Sequence, residues 1–370
     1  MRKISNFKFP AKGKQPKGFS LIELMVVMSI MGILIGLATT SLSNVRQRTT
    51  LSALTQTFIA DIKQQQIKAM VGDTQGIGAA SAYGFHIDTN KYVLFRGITY
   101  SALDPSNFQV NLPSNMQFVN TGWDIVFSRM NGEIELANTG LAGYWKFDEG
   151  TGLIANDSSG NGNSGTLSGP LWTTGKINGA LSFDGINDVV TLGNPPALNM
   201  IDKVSLSLWI KPNVQFNSSS GNIQIFKKNS AYEFAYNVCA LGALTFSVSN
   251  TCGGPTGAHY FSNLEASTWY HIAGTFGGTT ARIYVNGIEI ASTSDSGVGG
   301  GGDVCIGASC AGTRYTNAVI DDVRVYNRTL SPLEVIYLYN NGIPIKLQDA
   351  TTSNTMTIQL NKYGAVTGVN

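Results

Sequence analysis

The hydrophobic pattern changes character along the chain. From Phe19 to Val45 apolar residues run almost unbroken; Glu23 is the one charge, and Leu24–Ala38 has none. A helix rises about 1.5 Å per residue, so Phe19–Ala38 is long enough to cross a hydrocarbon layer of about 30 Å. After Val45 the apolar positions Leu51, Leu54, Phe58, Ile62, Ile67 and Met70 fall near helical spacing. Arg46, Arg48, Asp61, Lys63 and Lys68 lie between them. That amphipathic stripe predicts one long helix over 19–72 that ends at Gly72 and packs its second half on a sheet.

Beyond Gly72 the period shortens to two. Residues 83–96 read as two strands around Asp88-Thr89-Asn90. Asp124–Arg129 and Glu133–Leu136 read as a hairpin through Met130-Asn131-Gly132. Val110–Pro113 leads into Met116–Val119, and Thr355–Leu360 and Gly364–Val369 read as two further strands. From 141 to 342 the chain is dense in short alternating strands and glycine turns. Val204–Pro212 and the Asn286-Gly287 turn are the clearest, and the pattern fits a β-sandwich. Ser331-Pro332-Leu333-Glu334 is a helix start: a capping box with proline at the first helical position.

Composition sets the bounds. The chain has 370 residues, 43% hydrophobic and 13% charged, too apolar and too weakly charged for a disordered protein. The formal charge of +2 gives no sign of a nucleic-acid binder. Even that excess is local. Arg2, Lys3, Lys8, Lys12, Lys14 and Lys17 precede the apolar run with no acid among them, which orients the run with its N-terminus in the cytoplasm. Those six removed from 25 basic residues leave 19 against 23 acidic ones.

A secretory signal would place its small-residue cut after the apolar run, whereas Gly18 precedes it. A plain anchor gives no reason for Glu23 at the apolar edge, where a lone carboxylate is costly. The stretch Lys17-Gly18-Phe19-Ser20-Leu21-Ile22-Glu23 closely resembles the prepilin motif of type IV pilins and type II secretion pseudopilins. The resemblance implies cleavage after Gly18 by prepilin peptidase and methylation of the new Phe19 amine. It also implies that Glu23 pairs with that amine on a neighbouring subunit. Burying either charge alone costs several kcal/mol, so the pairing would select the axial stagger. Partners would be the peptidase, other pilin subunits and the inner membrane. The chain would be a single-pass protein of the cytoplasmic membrane that moves into a pilus or pseudopilus.

Tyr83-Gly84, Tyr92–Phe95, Leu112-Pro113 and Ile125–Gly132 are similar to H-type minor pseudopilins and FimT-like minor pilins. The two strands that family needs next are absent after Leu136 and occur at the C-terminus. The expected fold is therefore α+β: a leader over 1–18 and a pilin-like domain over 19–139 and 343–370, its long helix on a small antiparallel sheet. An all-β jelly-roll domain over 140–342 is inserted into it. The insertion resembles laminin-G-like, concanavalin A-like modules in Tyr144–Gly150, Asp157–Asn163, Ala180–Gly185, Trp269-Tyr270-His271 and Ile320–Tyr326. The resemblance implies that the first and last strands are neighbours, and adjacent termini let a domain be inserted without tearing its host.

Calcium is the cofactor this resemblance implies. It takes hard oxygen ligands, and Glu149, Asp157 and Asp321 are expected to meet where the first and last strands pair. The turn Asp184-Gly185-Ile186-Asn187-Asp188 is a second candidate through Asp184, Asn187 and Asp188. Cys239, Cys252, Cys305 and Cys310 all lie in the insertion; four cysteines allow three pairings. Cys239–Cys252 and Cys305–Cys310 are favoured because each pair is local to a hairpin. Zinc is the weaker alternative, since no C-x-x-C occurs.

A glycosidase needs two carboxylates about 5–10 Å apart. No E-x-D-x-x-E run occurs, and Glu133 and Glu135 belong to the pilin hairpin. His271 sits in a strand and reads as structural. Tyr232, Tyr236 and Tyr260 are aromatics of the kind sugars use, without being assigned to a site. The function read from the chain is a non-enzymatic minor pilin displaying a module for adhesion or for a glycan or surface-protein ligand. The alternatives are a secretion pseudopilin that recruits substrate and, from another class, a membrane-anchored carbohydrate hydrolase.

Overall fold

One helix, Leu21–Val71, opens the chain and is followed almost wholly by antiparallel strands. The computed structural model describes residues 21–74, 81–119, 121–129, 131–134, 140–200, 202–238, 240–248, 257–295, 297, 299–361 and 363–369, apart from the side chains of 23, 24, 27, 32 and 34–49. The chain divides into two compact units, Met1–Leu54 and Thr55–Asn370.

In the first unit the helix presents Leu21, Ile22, Met25, Val26 and Met28 exposed. Among the described residues no helix is long and apolar enough to cross a membrane. The expected span, Leu24–Ala38, falls mostly on residues whose side chains lie outside that description. Gly18 and Phe19 also lie outside it, as does the side chain of Glu23.

In the second unit the helix buries Thr55, Phe58, Ile59, Ile62, Gln65 and Ala69; Phe58 and Ile62 belong to the expected stripe, whereas Ile67 and Met70 lie exposed, so the buried face runs through Gln65 and Ala69 instead. Gly72 then takes φ +65°, a left-handed position that glycine adopts without strain, and the helix stops. Two four-stranded sheets share this helical stripe. The first has the order 108–111, 91–96, 83–87, 123–127. The second has the order 366–369, 355–360, 343–349, 116–118. Phe58 joins them: its ring lies 5.5 Å from Phe85 and 4.7 Å from Tyr92 of the first sheet, and 5.2 Å from Phe118 of the second. Beside it Gln65 Nε2 donates to the Gly84 carbonyl at 2.9 Å. A Cβ on Gly84 would stand 2.5 Å from the Ile125 carbonyl oxygen, so only glycine lets strands 83–87 and 123–127 pair this closely.

The second sheet is built from distant parts of the sequence. Leu347 pairs with Phe118, Gln348 with Gln117 and Asp349 with Met116. The body thus has two sheets where the sequence suggested one small one. Of the expected hairpin after Asp124, strand 123–127 meets the following segment at the bridge Phe127 to Ile134, and 135–139 lie outside the described residues. Ser128 and Asn131 tie the turn there by hydrogen bonding to each other.

Between these parts lies a sandwich of two sheets. One runs 288–294, 280–285, 270–276, 204–212, 317–326, 179–184, 171–174, with 141–145 also paired to 317–326. The other runs 258–260, 244–247, 233–236, 223–228, 304–306, 189–193, 165–168, 154–155. Their inner faces bury Trp145, Phe183, Leu206, Leu208, Phe226, Phe234, Phe246, Ile272 and Ile320 in one core. The first strand of the sandwich lies against its last, Trp145 opposite Val323. Where the chain enters and leaves, Asn327 N donates to the Gly140 carbonyl at 2.8 Å. The short helix Pro332–Asn340 follows, opened by the full Ser331–Glu334 capping box and closed by Asn341 at φ 51°.

Candidate functional site

The acidic residues that stand out in the sequence lie around one end of the sandwich, and each is committed to a loop. Asp157 gathers the 157–163 turn. Its Oδ1 accepts from the amides of Tyr144 (3.0 Å) and Ser159 (2.9 Å), and its Oδ2 from the amide of Asn163 (2.9 Å) and the Ser159 hydroxyl (2.8 Å). Glu149 Oε1 accepts from the Asn156 amide at 2.8 Å, and Asp148 Oδ1 from the Gly179 amide at 2.9 Å.

Asp321 holds the opposite side of the same end. A β-bulge sets its direction. Asp322 takes φ 57°, the register against 204–212 slips there, and both Asp321 and Asp322 lie buried outside the main core cluster. Asp321 Oδ2 accepts from the amides of Lys176 (2.8 Å) and Ile177 (2.9 Å). Its Oδ1 is buried without a hydrogen bond. Burial pushes its pKa up to about 7, with Asp322 and Asp148 adding repulsion and the two amides opposing.

Asp322 works differently. It accepts from the Tyr144 hydroxyl at 2.6 Å and pairs with Arg324 at 2.9 Å, and the Arg324 guanidinium lies 4.2 Å from the Tyr144 ring centre. No three His, Cys, Asp or Glu side chains gather as a metal group among the described residues. Glu149, Asp157 and Asp321, the expected calcium ligands, each serve separate backbone amides.

The Asp184–Asp188 turn stays together. Asp184 Oδ1 accepts from Ile186 N at 2.8 Å, and Asp188 Oδ2 accepts from Asp184 N at 2.8 Å. Burial raises the Asp188 pKa. Asn187 N makes a longer contact, 3.4 Å, with Asp184 Oδ1. Cys305 and Cys310 are joined, Cα atoms 5.5 Å apart, and Cys239 and Cys252 lie outside the described residues.

The remaining candidates divide by burial. Tyr232 and Tyr236 are core residues, their hydroxyls bonded to the carbonyls of Leu198 and Ser262, whereas Tyr260 is half-buried on the edge strand 258–260. His271 is buried, accepts or donates at Ser207 Oγ (2.9 Å), and is held neutral: burial, then Arg324, pull its pKa down to about 3. Glu133 lies half-buried in the body, and Glu135 lies outside the described residues.

Sequence reading missed one cluster. In the body, His86 Nδ1 lies 2.6 Å from Asp124 Oδ1, its Nε2 lies 3.3 Å from Asp88, and its ring stacks on Tyr100 at 4.1 Å. With Trp123 and the helix start Ser331–Leu333, His86, Tyr100 and Asp124 line a cavity of about 530 Å³ where body and sandwich meet. Its members come from four separate segments, so no local motif announces it.

Residues 13–39 match the prokaryotic N-terminal methylation motif, and residues 184–336 match the concanavalin A-like lectin/glucanases superfamily. No curated protein matches the chain. Among solved structures, domain 4 of AbnA, an extracellular arabinanase from Geobacillus stearothermophilus solved with arabinotriose, is 21% identical, with 54% of this chain and 98% of that one covered and a TM-score of 0.40. The binding domain of Paraclostridial Mosquitocidal Protein 1 is 14% identical, covering 60% of this chain and 64% of its own, at 0.44. The binding domain of botulinum neurotoxin serotype C1 is 16% identical, covering 55% and 52%, at 0.43. This chain thus spans only about half to two thirds of the toxin domains' length.

Proposed function

We propose that this pilin-like chain, with a concanavalin A-like lectin module inserted in its body, is a minor subunit of a type IV filament that uses the module to bind a glycan. The observation that carries the reading is the pairing of strand 343–349 with 116–118. It supports a host domain that completes itself on both sides of the module, so that a filament subunit bears a second fold as cargo. The methylation motif supports processing by the prepilin peptidase and assembly with other pilins through the N-terminal helix. Catalysis is not part of the reading; Asp157, Glu149 and Asp321 each accept from backbone amides, which supports a structural role for them.

A bulky module crowds a close helical repeat, which favours placement at few positions, the tip among them. Immunogold labelling at filament ends is the expected result, and even labelling along the shaft contradicts it. The glycan reading is tested on an array with the full chain in detergent micelles. Binding should vanish when 141–326 is replaced by a short linker between Gly140 and Asn327. An array without signal from the intact chain defeats the reading. A deletion that blocks secretion but leaves surface binding intact favours the pseudopilin alternative. Calcium enters the reading through Asp184, Asn187 and Asp188, whose oxygens share one turn. The expected outcome is a rise in melting temperature with calcium chloride that Asp184→Ala removes.

A further inference from the structure

Within the module one lysine is buried completely among the described residues. Lys228 ends strand 223–228 with 0% of its surface exposed. Its Nζ donates to Asn194 Oδ1 at 2.8 Å and to the Gly302 carbonyl. It forms no ion pair among the described residues. Burying an ammonium against neutral oxygens alone is costly, so the site favours the uncharged amine. Burial lowers the Lys228 pKa accordingly, and the charge of Asp303 opposes that shift.

The fold brings the two side chains together from either side of a third strand. Lys228 and Gly193 both stand opposite Val304, and strand 304–306 lies between 223–228 and 189–193. Asn194 follows Gly193, at φ +67°, and precedes Pro195, so its backbone is restricted on both sides. Glycines seat the remaining wall. A Cβ on Gly302 would stand 2.7 Å from the Asn229 carbonyl oxygen, and one on Gly299 1.7 Å from that of Ser230. Only glycine lets this loop lie so close to 229–230, where the Gly302 carbonyl meets the Lys228 amine.

An amine and a carboxamide are the two halves of an amide bond. Nζ is 2.8 Å from Oδ1 and a C=O bond is about 1.2 Å long, so Asn194 Cγ lies no farther than about 4 Å from Nζ. A reacting pair sits at about 3–3.5 Å, a small approach away.

We propose that Lys228 and Asn194 join in an intramolecular isopeptide bond. The uncharged Nζ attacks Cγ, and the Nζ–Cγ bond forms. The Cγ–Nδ2 bond breaks, and Nδ2 takes one proton from the attacking nitrogen and leaves as ammonia. Asp303, exposed beside the loop and acting on Lys228 through its charge, carries that proton. Nothing is oxidised or reduced, and no co-reactant is consumed. The product ties 189–193 to 223–228 around 304–306. Cys305, next to Val304 and opposite Thr191 and Lys227, already carries the disulfide to Cys310. One end of the sheet then holds two covalent clamps.

The test is mass spectrometry of the full chain in detergent micelles with disulfides reduced. The wild type should weigh about 17 Da less than its processed sequence, the mass of one ammonia. Trypsin should yield a branched peptide joining Ile177–Lys203 to Lys228–Arg282. Asn194→Ala changes an exposed residue and should restore the full mass and the linear peptides, with a lower melting temperature of the module. Asp303→Asn should leave most of the chain unlinked. A wild-type chain of full mass, cut by trypsin after Lys228, overturns the proposal. The same mass loss without the branched peptide also overturns it, since ammonia is then lost to a succinimide at an Asn-Gly step such as Asn286-Gly287.

Discussion

The module and the pilin body both bury polar atoms without hydrogen bonds, but they use acids and amides differently. In the module, Asp148, Asp157 and Asp321 are turned onto backbone amides and hold loops 157–163 and 175–179 in place. In the body, Gln65 and Asn107 each spend one end on a carbonyl and bury the other end without a hydrogen bond. The lesson concerns inference as much as architecture. Conspicuous carboxylates can be structural staples, while the amides of a helix and a loop tie neighbouring segments through one end only.

The contrast extends to the cores. The body depends on one helix stripe that touches both of its sheets, so removing the residue at the crossing should be the most damaging change. Phe58→Ala is expected to cost about 3–5 kcal/mol. A thermal scan should show the body's transition moving down while the sandwich transition stays. A joint shift of both would mean that the two folds melt as one. Next in size, Asp157→Ala removes four hydrogen bonds from one turn and should lower the module's stability by about 3 kcal/mol, read by denaturant unfolding. An unchanged midpoint would break the view of this acid as a staple. Cys305→Ser opens only a short loop, with a sequence separation of 5, and should cost about 2 kcal/mol in the module and nothing in the body.

The subtlest expectation is a change of slope. Asp321 titrates near 7 when folded, against an ordinary value of 3.8, so the folded state holds its proton more tightly than the unfolded chain. Its contribution is therefore full at pH below about 4, is lost as pH rises through 7, and is flat above that. Asp321→Asn should remove this decline from a plot of module melting temperature against pH. A variant whose slope matches the wild type would show that the carboxyl is not the group responsible.

Much of this was legible in the residues. The apolar-then-amphipathic stretch gave the long helix, and its end at Gly72 followed from composition. The capping box at Ser331–Glu334 stood in the sequence as it stands in the fold. The strand Val204–Pro212 has the bounds its alternation suggested. What escaped was of two kinds. The second body sheet depends on pairing Phe118 with Leu347, a contact that no local pattern encodes. The fate of Asp321 depends on a single left-handed residue, Asp322, that redirects two neighbours at once. A strand's period of two gives no warning of such a slip. The role of Gln65 was invisible for a third reason: it meets the Gly84 carbonyl only once the helix lies across the sheet.

The contact between Gly140 and Asn327 has a mechanical meaning. The chain enters and leaves the module at adjacent backbone atoms, and 141–145 runs antiparallel to 321–326 from that point. Tension carried along the body would not have to stretch the module, which hangs from two neighbouring tethers. A load that prised the tethers apart would meet the ladder one hydrogen bond at a time, from Tyr326 toward Val323, rather than shearing it all at once. The subunit would then yield gradually at its seam while the sandwich core stayed closed.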